Sequence, residues 1–552
     1  MKYSVTFSTA DEKRTKQYLS LIADFTGGDD GVIYLGDSDS QITLKAKNLL
    51  AAALAGKSAD TAGYAVASAD GSVAAVWSDW HFEEAAILHL KDNLGKIGDG
   101  YSFAHVAPLM SYLEERGQRI VEKKWIALEE KIGPEYGPSI VGAMKDLYKL
   151  FVDRKMVEWE ANLYDPKIGG WYCSNSAKDN DGFLPDIEST YIALSFLASS
   201  GMCEMFGGDW TRAVPDWLKQ GVIDFFIPLQ AEDSFFYHPQ WPKELIIAND
   251  AQARITRDRG TAFGVLKKLG CTPKYSEPKK TDDGAPRMMT QFESVENFRA
   301  YMQKLEDEVL AIPEPKERAA KFYFYGNLFQ STAGYLNDNA EMKEIFIDFL
   351  EKYQNPTTGM WADVICYHGA NGLHKIADTA NKIGYKLNYV DRMVDSILEI
   401  INYSVDTCPA AGAVYIYNAW SCFPYIYENI LKFGDGSEEE RLARKTAIKN
   451  RVLAAAPAAL RAAVEQMQDF KRPDGGFSYG RGASGGISQR CPSSVPGIME
   501  ANLGGNSIAV TALKLYIFKA LELSENDLPP VFTEHERMIY MQVLEKLHEA
   551  AN

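Results

Sequence analysis

Apolar residues recur three or four positions apart through most of the chain, which is the pattern of helices that bury one face. From about residue 105 onward this pattern predicts a largely helical region. Clusters of Gly, Pro and Asp separate the periodic stretches and mark the turns between them. The predicted helices cover residues 108–132, 139–162, 189–206, 214–229, 244–268, 294–310, 316–335, 339–353, 371–384, 388–403, 416–432, 437–468 and 506–522.

The first part of the chain has a different pattern. Short alternating segments beginning at Tyr3 and Gly31 predict strands, and a helical stretch follows each of them. Residues 63–79 predict a hairpin that turns at Asp70-Gly71. With a closing helix, the predicted order is β-α-β-α-β-β-α. We therefore expect a mainly α protein divided into an α+β domain over 1–97, a helical catalytic region over 105–522 and a C-terminal helix over 523–552.

One turn sequence recurs within the helical region. A helix ends, a glycine follows, and an aromatic residue precedes the next helix, at Gly170-Trp171, at Gly359 and Trp361, and at Gly476-Phe477, with a weaker copy over 225–241. Glycine can take a backbone conformation that other residues avoid, and the aromatic ring can wedge the turn against a neighbouring helix. Repeated helical units of this kind stack on one another, which gathers the turns on one face. We expect the functional cavity at that face.

The segments QNPTTGMW and QDFKRPDGGFSY resemble the Gln-x(n)-Gly-x-aromatic repeats of α/α toroids of the terpenoid cyclase and protein prenyltransferase type. The resemblance implies that the helical region is a large (α/α) toroid. The acid-donating Asp-x-Asp-Asp of the cyclases is not matched, because Asp179-Asn180-Asp181-Gly182 lacks its last Asp. The zinc ligands of the prenyltransferases are not recognisable either.

The predicted N-terminal hairpin, GYAVASADGSVAAVWSD, resembles part of the small α+β domain that precedes the catalytic domain of hexosaminidase-like and α-glucuronidase-like glycosidases. In those families the domain is an accessory and supplies no catalytic residue. The resemblance implies a carbohydrate-active enzyme whose chemistry lies in the helical region.

The net charge limits the classes of partner that we expect, and the cysteine content indicates the redox compartment. The net charge of −17 argues against binding to nucleic acid or to a membrane surface. The seven cysteines are scattered and form no CxxC pair, which fits free thiols in a reducing compartment. The N-terminus lacks the apolar core of a signal peptide. We expect a cytoplasmic protein that uses no cofactor and no metal.

Acidic residues near the turns are the first catalytic candidates. Glycoside hydrolysis requires two carboxyl groups that face each other across the scissile bond. Asp181, Glu188 and Asp363 could supply such a pair. Asp186 and Glu188 also fit a purely structural role at the start of a helix.

A second group of candidates consists of His368 and His374, with Tyr237 and His238 at the corresponding turn of the weaker repeat. A uronate lyase needs one group that removes the C5 proton, one that protonates the leaving oxygen and one that neutralises the carboxylate. Histidine, tyrosine, asparagine and arginine can perform these tasks. The candidate substrate-binding residues are Trp171, Tyr172, Asp179, Trp361, Asn371, Phe477, Tyr479, Arg490 and Glu500.

The sequence therefore predicts an enzyme that cleaves glycosidic bonds in oligosaccharides, by hydrolysis or by elimination. An isoprenoid-handling enzyme of the cyclase kind is the first alternative, and it predicts a nearly closed apolar cavity. A binding protein without chemistry is the second. The glycine-rich stretch over 474–486 lacks a Walker lysine and a strand–turn–helix context, so it predicts a loop over the cavity instead of a phosphate site.

Overall fold

The computed structural model describes residues 2–9, 11–246, 254–276 and 290–552. The protein is mainly helical and has a sheet in its N-terminal part, which confirms the coarse prediction from the sequence pattern. The chain divides into two compact units, Met1–Ile120 and Val121–Asn552.

The N-terminal unit contains a five-stranded sheet with the strand order β1-β2-β4-β3-β5. Strands β1, β2 and β4 run parallel, whereas β3 is antiparallel to both β4 and β5. Two 3₁₀ turns, Ser20–Phe25 and Trp80–Phe82, complete the unit. Its strands and helices are β1 (Ser4–Ser8), α1 (Glu12–Leu19), β2 (Val32–Gly36), α2 (Gln41–Leu54), β3 (Thr61–Ala69), β4 (Ser72–Trp77), α3 (Glu83–Asn93) and β5 (Ser102–Pro108).

The hairpin between β3 and β4 turns where the sequence predicts. Asp70 and Gly71 have φ values of +49° and +72°, the left-handed pair that a two-residue hairpin turn requires. Strand β3 is buried on both faces, because Ala65 and Ala67 pack with α2 while the Tyr64 hydroxyl lies 3.4 Å from Nδ1 of His89 on α3. The sequence prediction omitted β5, which extends this sheet beyond residue 97.

The second unit is built from helices joined by short turns. Its hairpin strands are β6 (Tyr164–Asp165), β7 (Gly170–Trp171), β8 (Ile487–Ser488) and β9 (Cys491–Pro492). Short 3₁₀ turns span Glu204–Phe206, Thr290–Phe292 and Glu525–Asp527, and a π-helix over Ile508–Leu513 joins α20 to α21. Its helices, the first of which begins in the N-terminal unit, are α4 (Leu109–Ile132), α5 (Gly137–Phe151), α6 (Arg154–Asn162), α7 (Asn175–Lys178), α8 (Ile187–Ser199), α9 (Trp210–Ala213), α10 (Asp216–Leu229), α11 (Lys243–Ile246), α12 (Arg254–Lys268), α13 (Val295–Leu310), α14 (Pro315–Asn337), α15 (Ala340–Tyr353), α16 (Tyr367–Ile383), α17 (Val390–Ile401), α18 (Ala413–Phe433), α19 (Glu438–Gln468), α20 (Leu503–Ser507), α21 (Lys514–Ala520) and α22 (Glu534–Ala551).

Several predicted helix boundaries differ from the structure; the predicted helix over 189–206, for example, is α8 (Ile187–Ser199) followed by a separate 3₁₀ turn. The predicted helix over 139–162 is two helices, because the Asp153 side chain accepts a hydrogen bond of 2.9 Å from the Lys155 amide and starts α6. Helix α16 begins at Tyr367, four residues before its predicted start. Part of the predicted helix over 244–268 lies outside the described residues.

Six helical segments pack side by side in the order α14, α16, α18, α20–α21, α8 and α12. Along α14 and α16 the pairing advances in one direction, from Gln330 with Lys375 to Asn337 with Lys382, so these helices run parallel. The α16–α14 approach is close, since a Cβ on Gly326 would lie 2.8 Å from Cβ of Lys375. Parallel packing brings the N-termini of α14 and α16 to one end.

The repeated Gly-aromatic turns share one structural role. Gly169, Gly359 and Gly475 have φ values of +88°, +70° and +96°. An added Cβ would lie 2.0 Å from the backbone oxygen of Gly221, 2.5 Å from the backbone nitrogen of Met393, or 2.5 Å from that of Met156, respectively. Each glycine therefore lets a turn approach a neighbouring helix closely.

Candidate functional site at the helix N-termini

Tyr479 lies near side chains from four helices of the second unit. Its side chain is 42% exposed, yet burial raises the pKa of its phenol, and the phenols of Tyr323 and Tyr415 and the carboxylate of Glu188 raise it further. The guanidinium of Arg257 opposes that increase. We call the accessible surface around Tyr479 and these neighbouring side chains the recess. Helices α8, α12, α14 and α18 each contribute one of these neighbours.

Tyr323, Tyr415 and His368 form a row of neighbouring rings beside this recess. The Tyr415 ring lies 6.3 Å from the Tyr323 ring and 5.1 Å from the His368 ring, in edge-to-face arrangements. Burial lowers the pKa of His368, which favours the neutral imidazole at pH 7. Its Nδ1 is buried without a hydrogen-bond partner among the described residues. His368 therefore lies beside the recess with one ring nitrogen uncommitted.

A buried arginine organises the α8–α12 side of the recess. Arg254 is fully buried, with nitrogens 2.5 Å from Asp186 Oδ1, 3.0 Å from Glu188 Oε2 and 2.8 Å from Asp258 Oδ1. Arg257, one helical turn further on, lies 3.0 Å from Glu188 Oε1. Glu188 thus connects the buried arginine to an arginine that is half exposed.

The carboxyl groups of this cluster have pKa values shifted in opposite directions. Burial raises the pKa of Asp258 to about 7, and the carboxylates of Asp186 and Glu188 add to the effect while Arg254 opposes it. Burial also acts to raise the pKa of Asp186, but Arg254 and hydrogen bonds from Ser189 outweigh it and lower that pKa. Asp258 therefore titrates near neutral pH while Asp186 stays ionised.

His374 lies inside the helix packing. It is 1% exposed, its Nδ1 forms a hydrogen bond with the Ser421 hydroxyl, and burial lowers its pKa well below the ordinary value. The rings of Tyr417 and Tyr425 lie 5.8 Å and 5.3 Å away. This arrangement is that of a neutral histidine within a packed interface.

The two candidates of the weaker repeat also have structural partners. The Tyr237 hydroxyl donates a hydrogen bond of 2.6 Å to Asp233. His238 Nε2 lies 3.2 Å from the Pro185 carbonyl oxygen, and its Nδ1 accepts a bond of 3.3 Å from the Gln240 amide. Both ring nitrogens of His238 are engaged with backbone groups, so this side chain fixes a turn.

Of the three predicted catalytic carboxylates, Glu188 is the one with a place in the recess. Asp181 is exposed on the loop before α8, and so is Asp179. Asp363 is held 2.6 Å from Arg318 and accepts a bond of 3.1 Å from Asn355. These positions differ from the facing carboxyl pair that hydrolysis requires.

The prediction that turn aromatics bind substrate is wrong for three residues. Trp171, Trp361 and Phe477 are at most 1% exposed, so no sugar ring can stack on them. The Trp361 indole donates a bond of 2.8 Å to the Leu350 carbonyl and fixes its turn. Tyr172 is 8% exposed and donates a bond of 3.0 Å to Asp165.

The remaining predicted binding residues have varied surroundings. Asn371 is fully buried, and its amide atoms have no hydrogen-bond partner in the described part of the chain. Glu500 accepts bonds of 2.9 Å and 2.5 Å from the Ser176 amide and hydroxyl, which fixes a loop. Arg490 is exposed at the tip of the β8–β9 hairpin with a φ of +68°. Tyr479 is the member of this set that is accessible within the recess.

Several residues of the site were not predicted from the sequence. Arg254, Arg257, Tyr323 and Lys375 lie inside predicted helices and Tyr415 lies one residue before one, and their type gave no sign of a role. The one available signal was the stretch RITRDRGTAF, where charged residues interrupt the apolar face of a helix. The other residues of the site come together through contacts between helices that are far apart in the sequence, which local patterns do not show.

The described residues contain no group of three or more His, Cys, Asp and Glu side chains that could hold a metal ion. In the same residues no helix is long and apolar enough to cross a membrane. Comparison with known protein families, curated proteins and solved structures found no match.

Proposed function

We propose that the second unit is an (α/α) toroid and that the protein cleaves uronate-containing oligosaccharides by β-elimination in the recess. The observation that carries the proposal is that Arg257, Tyr323 and Tyr415, from three different helices, all act electrostatically on the accessible phenol of Tyr479, with the Tyr323 and Tyr415 rings 6.3 Å apart. The N-terminal unit then serves as an accessory domain, in line with its resemblance to glycosidase accessory domains.

The residues of the recess match the tasks of elimination. Arg257 can bind and neutralise the substrate carboxylate, which makes the C5 proton of the uronate more acidic. A base takes that proton, the electron pair forms the C4–C5 double bond, and the C4–O bond breaks. Tyr479 donates a proton to the leaving oxygen, since its phenol is protonated at neutral pH, and the resulting phenolate takes a proton back from water.

The same geometry favours elimination over hydrolysis. Hydrolysis needs two carboxyl groups facing each other, one as acid and one as base or nucleophile. Glu188 is already bound by Arg254 and Arg257, and Asp363 is bound by Arg318. Because Glu188 is paired with both arginines, we assign it the role of orienting Arg257 and not that of a nucleophile.

The isoprenoid alternative predicts an apolar enclosure, and the recess is instead lined by phenols and charged groups. A separate cavity of about 690 Å³ lies between α8 and α21. Its walls combine Ile192, Phe196 and Leu515 with Lys268 and Lys514, so it is not a purely apolar chamber either.

The test is incubation of the purified protein with pooled neutral and uronic oligosaccharides, following new reducing ends and ultraviolet absorbance together. We expect both signals to rise with the uronic pool, because each elimination makes one reducing end and one conjugated double bond. Reducing ends without absorbance would instead indicate hydrolysis. If neither signal rises across the pools, the proposed function is wrong.

A further inference from the structure

Lys375 is a lysine in an unusual position on α16. It lies two helical turns beyond His368 and is partly accessible. Its Nζ donates a hydrogen bond of 3.0 Å to Oε1 of Gln330 on α14. Among the described residues, no carboxylate lies within ion-pair distance of it. A largely buried ammonium with only an amide partner is poorly compensated, and such lysines are often functional.

The charged groups around Lys375 give it no direct counterion. Asp378 is the nearest acid that acts on it, but Asp378 Oδ2 lies 2.8 Å from Lys382 and accepts a bond of 2.6 Å from Gln330. Lys382 on the same helix and Arg257 on α12 both repel its positive charge.

The remaining neighbours of Lys375 add no negative charge. Next to it on α16, His374 is neutral, because burial and the charge of Lys375 itself lower its pKa. Tyr425 on α18 lies close to Asp378 and is a protonated phenol at neutral pH, since burial raises its pKa. Burial lowers the pKa of Lys375 to about 8, with the two cations adding to the effect and Asp378 opposing it. Roughly a tenth of the Lys375 side chains therefore carry a neutral amine at pH 7, far more than for an ordinary lysine.

Arg257 connects this lysine to the recess. The same guanidinium acts electrostatically on Tyr479 and on Lys375, so both groups lie in its neighbourhood. A carboxylate bound to Arg257 would therefore be near the phenol of Tyr479 and the amine of Lys375. An acid and a base near one bound uronate are the pair that elimination requires.

We propose that the neutral amine of Lys375 is the general base that removes the C5 proton of a uronate bound by Arg257, an inference that rests on the proposed function. The amine takes the proton and becomes an ammonium ion. The C5–H electron pair forms the C4–C5 double bond as the C4–O bond breaks. Tyr479 protonates the leaving oxygen. The ammonium then releases its proton to water and the Tyr479 phenolate takes one from water, which restores both groups.

The experiment combines a titration with kinetics. Reductive methylation with ¹³C-formaldehyde gives each lysine an NMR signal, and the signal absent from Lys375→Arg identifies Lys375. We expect that signal to titrate near pH 8 and to move upward in Arg257→Gln, because a repelling cation is removed. Lys432→Met, on exposed surface of α18, is the matched control. A Lys375 signal that titrates near its ordinary pKa of about 10.4 would overturn the inference.

The kinetic arm examines the base role itself. Lys375→Met should lower the elimination rate by on the order of 100-fold or more while substrate binding persists, and Lys432→Met should keep the wild-type rate. The wild-type rate should rise with pH up to the pKa measured by NMR. A Lys375→Met variant with wild-type rate and pH profile would overturn the assignment. Absence of elimination in the wild type would overturn the proposed function. The titration needs no substrate, so it shows independently whether Lys375 has an ordinary pKa.

Discussion

Tyr479 is the residue whose environment distinguishes the recess from the rest of the turn face. Three other turn aromatics are sealed in the packing, whereas Tyr479 is accessible and surrounded by groups from four helices. A phenol in that position keeps its proton and can transfer it to a leaving oxygen.

Replacing Tyr479 by Phe tests this role. We expect Tyr479→Phe to lower the elimination rate by on the order of 100-fold with little change in substrate binding, because only the proton donor is removed. Tyr389→Phe is the matched control, since Tyr389 is 49% exposed at the start of α17. Equal rates for Tyr479→Phe and Tyr389→Phe would show that the phenol donates no proton.

Glu160 is a second residue with a strongly altered environment. It is fully buried on α6 and accepts a bond of 2.6 Å from Asn506, and burial raises its pKa well above the ordinary value. When the pKa of a carboxyl group is higher in the folded than in the unfolded state, the protein loses stability as the pH rises above the unfolded pKa. One such proton corresponds to about 1.4 kcal/mol per pH unit.

We therefore expect Glu160→Gln to raise the free energy of unfolding at pH 8, because glutamine fits the same space without needing a proton. The gain should shrink toward pH 4, where the carboxyl is protonated in both states. Denaturant unfolding at both pH values measures it. Glu158→Gln, two residues away and partly exposed beside Arg154, should change stability by less than about 0.5 kcal/mol. A Glu160→Gln variant that is less stable at pH 8 than the wild type would contradict the argument.

At the scale of elements, the Gly-aromatic turns let the chain approach neighbouring helices closely. The sequence motif predicted these turns, and the left-handed glycines and buried aromatics agree with it. The motif could not predict which polar residues enter the recess. Asp363 and Glu188 follow similar turns, but Arg318 engages the first on the surface and Arg254 holds the second in the site. That difference depends on partners more than 40 residues away, which local periodicity does not report.

Gly359→Ala tests the turn at this scale. Its φ of +70° and the 2.5 Å approach of Met393 nitrogen leave no room for a Cβ, so we expect a loss of about 1–3 kcal/mol in the free energy of unfolding. Gly142→Ala is the matched control, because Gly142 lies within α5 with open space around it. That substitution should instead add about 0.5–1 kcal/mol. Similar stability of the two variants would mean that the turn tolerates a side chain.

At the scale of the whole molecule, sequence patterns predicted a mainly helical protein with an N-terminal sheet but missed β5. Its sequence, SFAHVAP, is short and ends in proline, and its place beside β3 is fixed by long-range pairing. The arrangement of parallel helices likewise depends on contacts such as Gly326 against Lys375. Neither feature is encoded in a local period of apolar residues.

The net charge of −17 makes the half-exposed Arg257 in the recess informative at this scale. The overall field repels an anionic oligosaccharide, so binding must come from local groups such as Arg257. A neutral sugar would gain nothing from that guanidinium. Discrimination between acidic and neutral forms of one sugar chain is therefore the property that the proposed site should confer.

The most direct measurement is calorimetric binding of oligouronates and of the same oligosaccharides after reduction of their carboxyl groups. We expect the acidic form to bind the wild type and Lys432→Met, and the carboxyl-reduced form to bind neither. Arg257→Gln should bind the acidic form at least 10-fold more weakly, because it loses a charge-assisted hydrogen bond of about 1.5–3 kcal/mol. Equal binding of the acidic and reduced forms, or unchanged affinity in Arg257→Gln, would contradict a uronate site in the recess.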